Sequence, residues 1–178
     1  MGRRQQACNW YVSDPIKAAD HPERKLFDKL LDWLIVAGSK FSKLKLRFYG
    51  PGYRGVHARR DIRAGEDLLF VPRENMITLE MSHETPIGRK MIKHCLHQQL
   101  SSPKHSFLAS FLLQEKRNTD TEWVNFFDIL PHNFSAFPVF FTKKEKEWLK
   151  GSPFLNQVEM KMEELKNDYE LICSKIPE

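Results

Sequence analysis

An α+β fold is what this sequence predicts, with short strands near the front of the chain and helices behind them. Three observations carry that expectation. Apolar and polar residues alternate with period two over much of residues 44–71. Turn-forming pairs, Pro51-Gly52 and Ala64-Gly65, interrupt the alternation. Beyond residue 80 the apolar spacing changes to the period of about 3.6 residues that marks helices.

Taken in order, residues 1–22 read as a flexible leader. Arg3 and Arg4 have no apolar stretch behind them, so they do not form a secretory signal. The Met1-Gly2 start would suit myristoylation, but Gln6 stands where Ser or Thr is expected. Over residues 23–37, Leu26, Phe27, Leu30, Leu31, Trp33 and Leu34 make one apolar helix face, and Gly38 is a natural stop. Leu44, Leu46 and Phe48 then alternate with Lys45, Arg47 and Tyr49, as in a half-buried strand. Val56 and Ala58, alternating with His57 and Arg59, give a second strand. Residues 67–71 are apolar enough for a buried third strand closed by Pro72, and residues 76–79 suggest a fourth.

Helices are expected over residues 87–100, 104–116 and 123–130, the last ended by Pro131. Thr142 with Glu145 forms a capping box for residues 143–149. Ser152-Pro153 opens a final helix reaching about residue 176, with Phe154, Leu155, Val158, Met162, Leu165, Tyr169 and Ile172 on one side. Trp123, Trp148 and Tyr169 are expected in the core. The segments group as a leader (1–22), a helix and β unit carrying a glycine-rich loop (23–80), and a helical region (81–178).

Composition excludes several functions. With 41% hydrophobic residues, thirteen Phe and four Trp, the chain can bury an aromatic-rich core. Its longest apolar run, residues 30–37, is broken by Asp32 and falls far short of the ~18 residues of a membrane span. Three widely spaced cysteines, Cys8, Cys95 and Cys173, form no CxxC pair, so neither a zinc site nor a disulfide framework is expected. Reduced thiols suit an intracellular protein, cytoplasmic or nuclear. His94, Cys95 and His97 lack a second ligand set, so no metal is expected. The net charge of +5 is scattered among acidic residues, which does not make the stripe that nucleic acid requires.

The segment Tyr49-Gly50-Pro51-Gly52-Tyr53-Arg54-Gly55-Val56 carries the chemistry. Three glycines in six residues let backbone approach a ligand closely, and a following strand would hold the loop rigid. GxxxxGK[ST] is absent and no helix follows, so phosphate binding is disfavoured. Glu115 and Asp128 are acidic residues at helix edges and are read as surface charges, not as an acid/base pair.

The run from Gly55 through Val56, Ala58 and Ile62 to Gly65-Glu66, followed by Leu69-Phe70-Val71-Pro72, resembles the opening of SET-domain methyltransferases. There a G-x-G-[LV]-x-A-x-x-x-[IL]-x-x-G-E pattern forms one side of the S-adenosylmethionine pocket. Here the first glycine is Gly52, separated from Gly55 by two residues instead of one. A helix over Leu108 to Lys116, then Trp123 and Phe127-Asp128-Ile129-Leu130-Pro131, is similar to the helical insertion of the Rubisco large-subunit methyltransferase group. That group includes the plant enzyme, an actin-histidine methyltransferase and related lysine methyltransferases. Phe137-Pro138, Glu145 with Leu149, and the Trp33 helix also fit, so the resemblance covers roughly residues 23–176.

The resemblance implies a short-stranded SET-type β unit followed by a helical insertion, and a protein substrate methylated on lysine or histidine. It also implies S-adenosylmethionine as cofactor, with Gly52, Tyr53, Arg54 and Gly55 against its methionine part and Arg24 as an upstream basic contact. The family's later half brings an Asn-His pair and a channel tyrosine. No Asn-His pair occurs here, and His132-Asn133 has the reverse order. The chain is therefore expected to be the N-terminal part of a methyltransferase, inactive alone and with weak or absent cofactor binding. The alternative is a non-catalytic interaction module on a truncated SET scaffold.

Overall fold

A computed structural model describes residues 21–50 and 52–177. Residues 1–20 of the expected leader lie outside the described residues. The chain divides into two compact units. Among the described residues, one takes in those up to Met76 together with Asn125–Leu130, and the other holds Ile77–Val124 and those from Pro131 onward.

In the first unit, helix α1 (Arg24–Val36) turns Phe27 inward. It closes as expected: the N–H groups of Gly38 and Ser39 donate to the carbonyls of Ile35 and Leu34, the paired bonds of a Schellman end. Strands β1 (Leu44–Gly50) and β2 (Tyr53–Ala58) form an antiparallel hairpin. Alternation along β1 sends Phe48 to the α1 side, where it is 1% exposed. Its ring meets Phe27 edge-on at 5.6 Å and stacks on His21 at 4.3 Å. The register irregularity between Phe48 and Gly50 lies at the turn end of the hairpin.

The two further strands expected from the sequence do not form. Residues 67–71 make only an isolated bridge, in which Phe70 and Lys40 exchange two backbone hydrogen bonds of 2.9 Å. Phe70 is 54% exposed, and Leu68 and Leu69 are also exposed. Strand-like composition needs a neighbouring strand to become a ladder, and among the described residues this segment finds one partner residue. The expected fourth strand fails for a local reason. Thr78 accepts a hydrogen bond from the Met81 N–H and so caps helix α2 (Leu79–Glu84) instead of extending a strand. Val56, expected to face inward, is exposed.

In the second unit, α2 is followed at once by α3 (Pro86–Lys93), with Thr85 capping the Gly88 N–H. The two helices approach so closely that a Cβ on Gly88 would lie 1.9 Å from the Ser82 carbonyl oxygen. The single helix expected over residues 87–100 is broken. Cys95 takes a left-handed conformation (φ 54°) and a 3-10 turn, Leu96–Gln98, follows. Met91 and Leu96 are five residues apart, which on a straight helix places them about 140° apart around the axis. The break lets both enter one core with Leu100 and Phe107, against which Leu79, Ile87, Leu171, Ile172 and Ile176 pack.

Helix α4 (Pro103–Arg117) supplies Phe107 and Phe111, and a short α5 (Val124–Phe127) follows it. The capping box of Thr142 and Glu145 opens α6 (Lys143–Glu147) as expected. Ser152 caps the long α7 (Pro153–Lys175). Trp123 is buried as expected, but Trp148 is 74% and Tyr169 68% exposed. Of the apolar α7 side expected to pack inward, Val158 is the member that is fully buried. Periodicity fixed which side of α7 is apolar, yet only part of that side is covered.

The charged residue that α7 does bury is Asp168, whose carboxylate accepts from the Ser101 N–H (2.8 Å), the Ser102 N–H (3.2 Å) and the Ser106 hydroxyl (3.2 Å). It thereby caps α4, whose own N-cap residue Ser102 makes no side-chain cap bond. Burial raises the Asp168 pKa, but the amides of Ser101 and Ser102 and the hydroxyls of Ser101 and Ser106 outweigh it and hold the group below the usual aspartate value.

Candidate cofactor loop

The glycine-rich loop sits at the tip of the β1–β2 hairpin, and its position is set by a chain of contacts that starts at His21. The His21 Nε2 donates to the Gly50 carbonyl at 3.0 Å while Nδ1 accepts the Glu23 N–H at 3.3 Å, which fits the tautomer with its proton on Nε2. Stacking on Phe48 fixes the ring plane. The last carbonyl of β1 is thus tied to the residues that enter α1.

Arg54, the second residue of β2, extends the brace. Its Nη1 donates to both Glu23 carboxylate oxygens (3.2 and 3.4 Å) and its Nη2 to the Ile129 carbonyl at 2.8 Å. Its guanidinium carbon lies 4.7 Å from the centre of the Phe27 ring. A planar fork that bonds in two directions while stacking on an aromatic face suits arginine and not lysine. Arg24 points its charge at its own helix, with Nε bonded to the Asp28 carboxylate at 2.8 and 3.0 Å.

Gly52 has φ +68°, a left-handed conformation that non-glycine residues adopt at a penalty of roughly 1 kcal/mol. No heavy atom lies within 4 Å of where its Cβ would be. The turn therefore presents bare backbone on an open side, as a loop meant to touch a ligand must. Gly55 differs: it lies in the strand, and a Cβ there would make ordinary contacts of 3.6 Å with Tyr49 and 3.7 Å with His57. Of these two glycines, Gly52 is the one whose conformation disfavours other residues.

On the hairpin face opposite Phe48, the Tyr49 hydroxyl hydrogen-bonds His57 Nε2, and the Tyr53 ring lies 5.1 Å from that of Tyr49. Tyr53 itself is 68% exposed. Sequence reasoning named Gly52, Tyr53, Arg54 and Gly55, and the structure brings these four together at one hairpin tip. It missed His21, Glu23, Tyr49, His57 and Ile129. Tyr49 and His57 could not have been paired from a regular two-residue turn, because it is the register irregularity between Phe48 and Gly50 that puts them on one face. Nothing in the sequence near His21 signals its role.

Glu115 accepts from the Thr121 hydroxyl at 2.7 Å, a local structural contact, and Asp128 is exposed. Among the described residues no three His, Cys, Asp or Glu side chains are placed to hold a metal ion. None of the described helices is long and apolar enough to cross a membrane. The loop can position a ligand, and its donors and acceptors are largely spent on holding its own shape.

No family model matches the chain. Actin-histidine N-methyltransferase of Gallus gallus is 24% identical over 132 residues, covering 74% of this chain and 22% of that protein. The proteins of that name from Papio anubis and Homo sapiens are 26% and 25% identical over 140 residues, covering 78% of this chain and 23% of theirs. Among solved structures, the SET domain of LSMT bound to MeLysine and AdoHcy superimposes with a TM-score of 0.71 at 22% identity, over 85% of this chain and 33% of that one. Rubisco LSMT bound to sinefungin and monomethyllysine gives 0.70, over 85% and 34%. The chain has the SET-type α+β fold and spans less than a quarter of the curated relatives it matches.

Proposed function

Starting from a chain related to the SET-domain protein methyltransferases, we propose that it forms one side of the S-adenosylmethionine pocket of a protein N-methyltransferase acting on lysine or histidine. The observation that carries this reading is the bare backbone at Gly52, braced through Arg54, His21 and Glu23. Gly52, Tyr53 and Gly55 lie against the methionine part of the cofactor. Arg54 is a positioning residue, because its guanidinium is committed to Glu23 and Ile129. Arg24 approaches from α1 with its Nε already bonded to Asp28.

When bound, S-adenosylmethionine supplies an electrophilic methyl group to a nucleophilic nitrogen. Such a transfer depends chiefly on holding the two in line. This chain orients one wall and lacks the Asn-His pair that the resemblance assigns to the adenosine side. A pocket missing one wall buries much less of a ligand, so this chain alone binds the cofactor weakly and transfers no methyl group. The relatives named for actin histidine, and the solved relatives bound to methylated lysine, support a protein substrate. The exposed run Leu68 to Phe70 favours a second reading, an interaction module built on the same scaffold.

The test is direct. Purified chain is incubated with methyl-radiolabelled S-adenosylmethionine and cell lysate beside a Gly52→Asp, Gly55→Asp double variant. No labelling above the variant is expected, and calorimetry at sub-millimolar protein shows no saturable binding. Reproducible labelling that the variant loses would mean that the chain holds a complete site.

A further inference from the structure

Across residues 33–60 the chain carries seven Lys and Arg and no Asp or Glu, a charge of +7. The whole chain carries +5, so everything outside that segment sums to −2. Read along the full length the charged residues are scattered, but the excess of cations lies in the segment that folds into the hairpin.

Register decides how these cations are displayed. Lys45 pairs with His57 and Arg47 with Gly55. The Arg59 N–H donates to the Lys43 carbonyl at 2.7 Å, which carries the pairing one step further. Alternation therefore sets Lys45, Arg47, Tyr49, Tyr53, His57 and Arg59 on the face opposite Phe48, with same-strand neighbours roughly 7 Å apart. Two cations of the segment are already neutralised, Arg54 by Glu23 and Lys43 by Glu66. Among the described residues, Lys45, Arg47 and Arg59 have no ion pair or side-chain hydrogen bond. Neither strand contains a carboxylate to offset them. Gly55 leaves the middle of the face without a side chain, and at the turn end the exposed Tyr53 ring lies 5.1 Å from that of Tyr49.

We propose that this face binds single-stranded nucleic acid, with phosphates beside Lys45, Arg47 and Arg59 and a base stacked on Tyr53. A row of unneutralised cations fits a polyanion. The exposed ring then selects among polyanions. An aromatic face is itself negative and gains nothing from the carboxylates of an acidic peptide, whereas it stacks on any unpaired base. The bases of a duplex are paired and stacked on one another, so they are not free to reach it. The reading does not rest on methyl transfer: it shares Tyr53 with the cofactor loop, and its three cations take no part in that loop.

Fluorescence anisotropy of the full chain with labelled oligouridylate and oligothymidylate of about twelve nucleotides tests this, and saturable binding to either is expected. With three phosphates engaged, affinity should fall about twentyfold between roughly 50 and 200 mM salt. The triple variant Lys45→Gln, Arg47→Gln, Arg59→Gln should bind at least about tenfold more weakly and lose most of that salt dependence. Lys45→Gln with Arg59→Gln, both exposed, should show the same loss in smaller degree even if Arg47 is needed for folding. A charge-matched triple in the helical unit, Lys143→Gln, Lys144→Gln, Lys150→Gln, should bind as the parent does. Tyr53→Leu should weaken binding about tenfold with the salt dependence unchanged. Equal losses from the two triple variants would assign the binding to net charge alone and overturn the proposal. So would an absence of saturation, a Tyr53→Leu variant that binds like the parent, or a polyglutamate peptide that binds as tightly as the oligonucleotides.

Discussion

In the hairpin unit Arg54 makes three side-chain hydrogen bonds to two partners; in the helical unit Asp168 accepts three from three partners. Both connect segments distant in sequence, Arg54 reaching Glu23 and Ile129, and Asp168 reaching Ser101, Ser102 and Ser106. They differ in what surrounds them. Asp168 is buried and caps a helix that feeds a closed core of Met91, Leu96, Leu100 and Phe107. Arg54 is half-buried and braces a two-stranded hairpin, which is marginal without support, and whose tip is open. Packing makes the helical unit rigid, while a few directional bonds set the geometry of the loop. Loss of the first should destabilise, and loss of the second should mainly move the loop.

The sharpest way to break this comparison is at Gly88. Gly88→Val should destabilise the helical unit by about 3 kcal/mol, because its Cβ would meet the Ser82 carbonyl, a backbone atom that cannot swing away. Chemical denaturation measures the loss. A change below about 1 kcal/mol would show that α2 and α3 shift apart freely.

Asp168→Asn comes next, at about 2 kcal/mol, since one donor among Ser101, Ser102 and Ser106 would face an amide nitrogen instead of an acceptor. The pH dependence has a fixed sign. The folded-state pKa is lowered, so the unfolded state binds more protons. The Asp168 contribution is therefore full above the unfolded value near 3.8 and is lost as pH falls through the lower folded value. The Asn variant should show a shallower acid limb in thermal melts below pH 4 than the parent.

For Arg54 a smaller loss is expected, about 1–2 kcal/mol for Arg54→Leu, with Arg54→Lys recovering only part. The more telling readout is amide exchange at Gly50, Gly52 and Tyr53, which should quicken in both variants while the α4 amides keep their protection. Uniform quickening across the chain would mean that the loop and the helical core do not open separately.

The smallest effects separate the two loop glycines. Gly52→Ala should destabilise by about 1 kcal/mol from its positive φ alone. Gly55→Ala should be within about 0.5 kcal/mol of the parent, because its strand geometry accepts a Cβ and its new contacts are ordinary. Thermal midpoints for the pair settle the order, and the reverse order would misplace the special turn position.

Much of the architecture was legible in advance because it is written in local rules. The apolar face of α1, the alternation through Phe48, the Thr142–Glu145 capping box and the Ser152 cap each depend on neighbours within a few residues. The gathering of Gly52 to Gly55 at one tip follows from consecutive numbering at a turn. The misses have a common cause. Among the described residues, Leu68 to Phe70 look like a strand but meet a single pairing residue, and Trp148 and Tyr169 look like core residues but stay largely exposed. Hydrophobicity says what a residue would prefer, and only the partners present decide whether it is buried.

The sequence by itself determined the α+β class, the order of most elements, the hairpin turn and the resemblance to SET-domain methyltransferases, all carried by short-range periodicity and an ordered run of residues. The tertiary structure alone decided that Gly52 carries the left-handed turn, that Arg54 is spent on Glu23 and Ile129, that His21 anchors the loop, and that Asp168 caps a helix some sixty residues before it. Those facts depend on which distant groups meet in space, and a hydrogen bond needs its partner within about 3 Å whatever the separation along the chain.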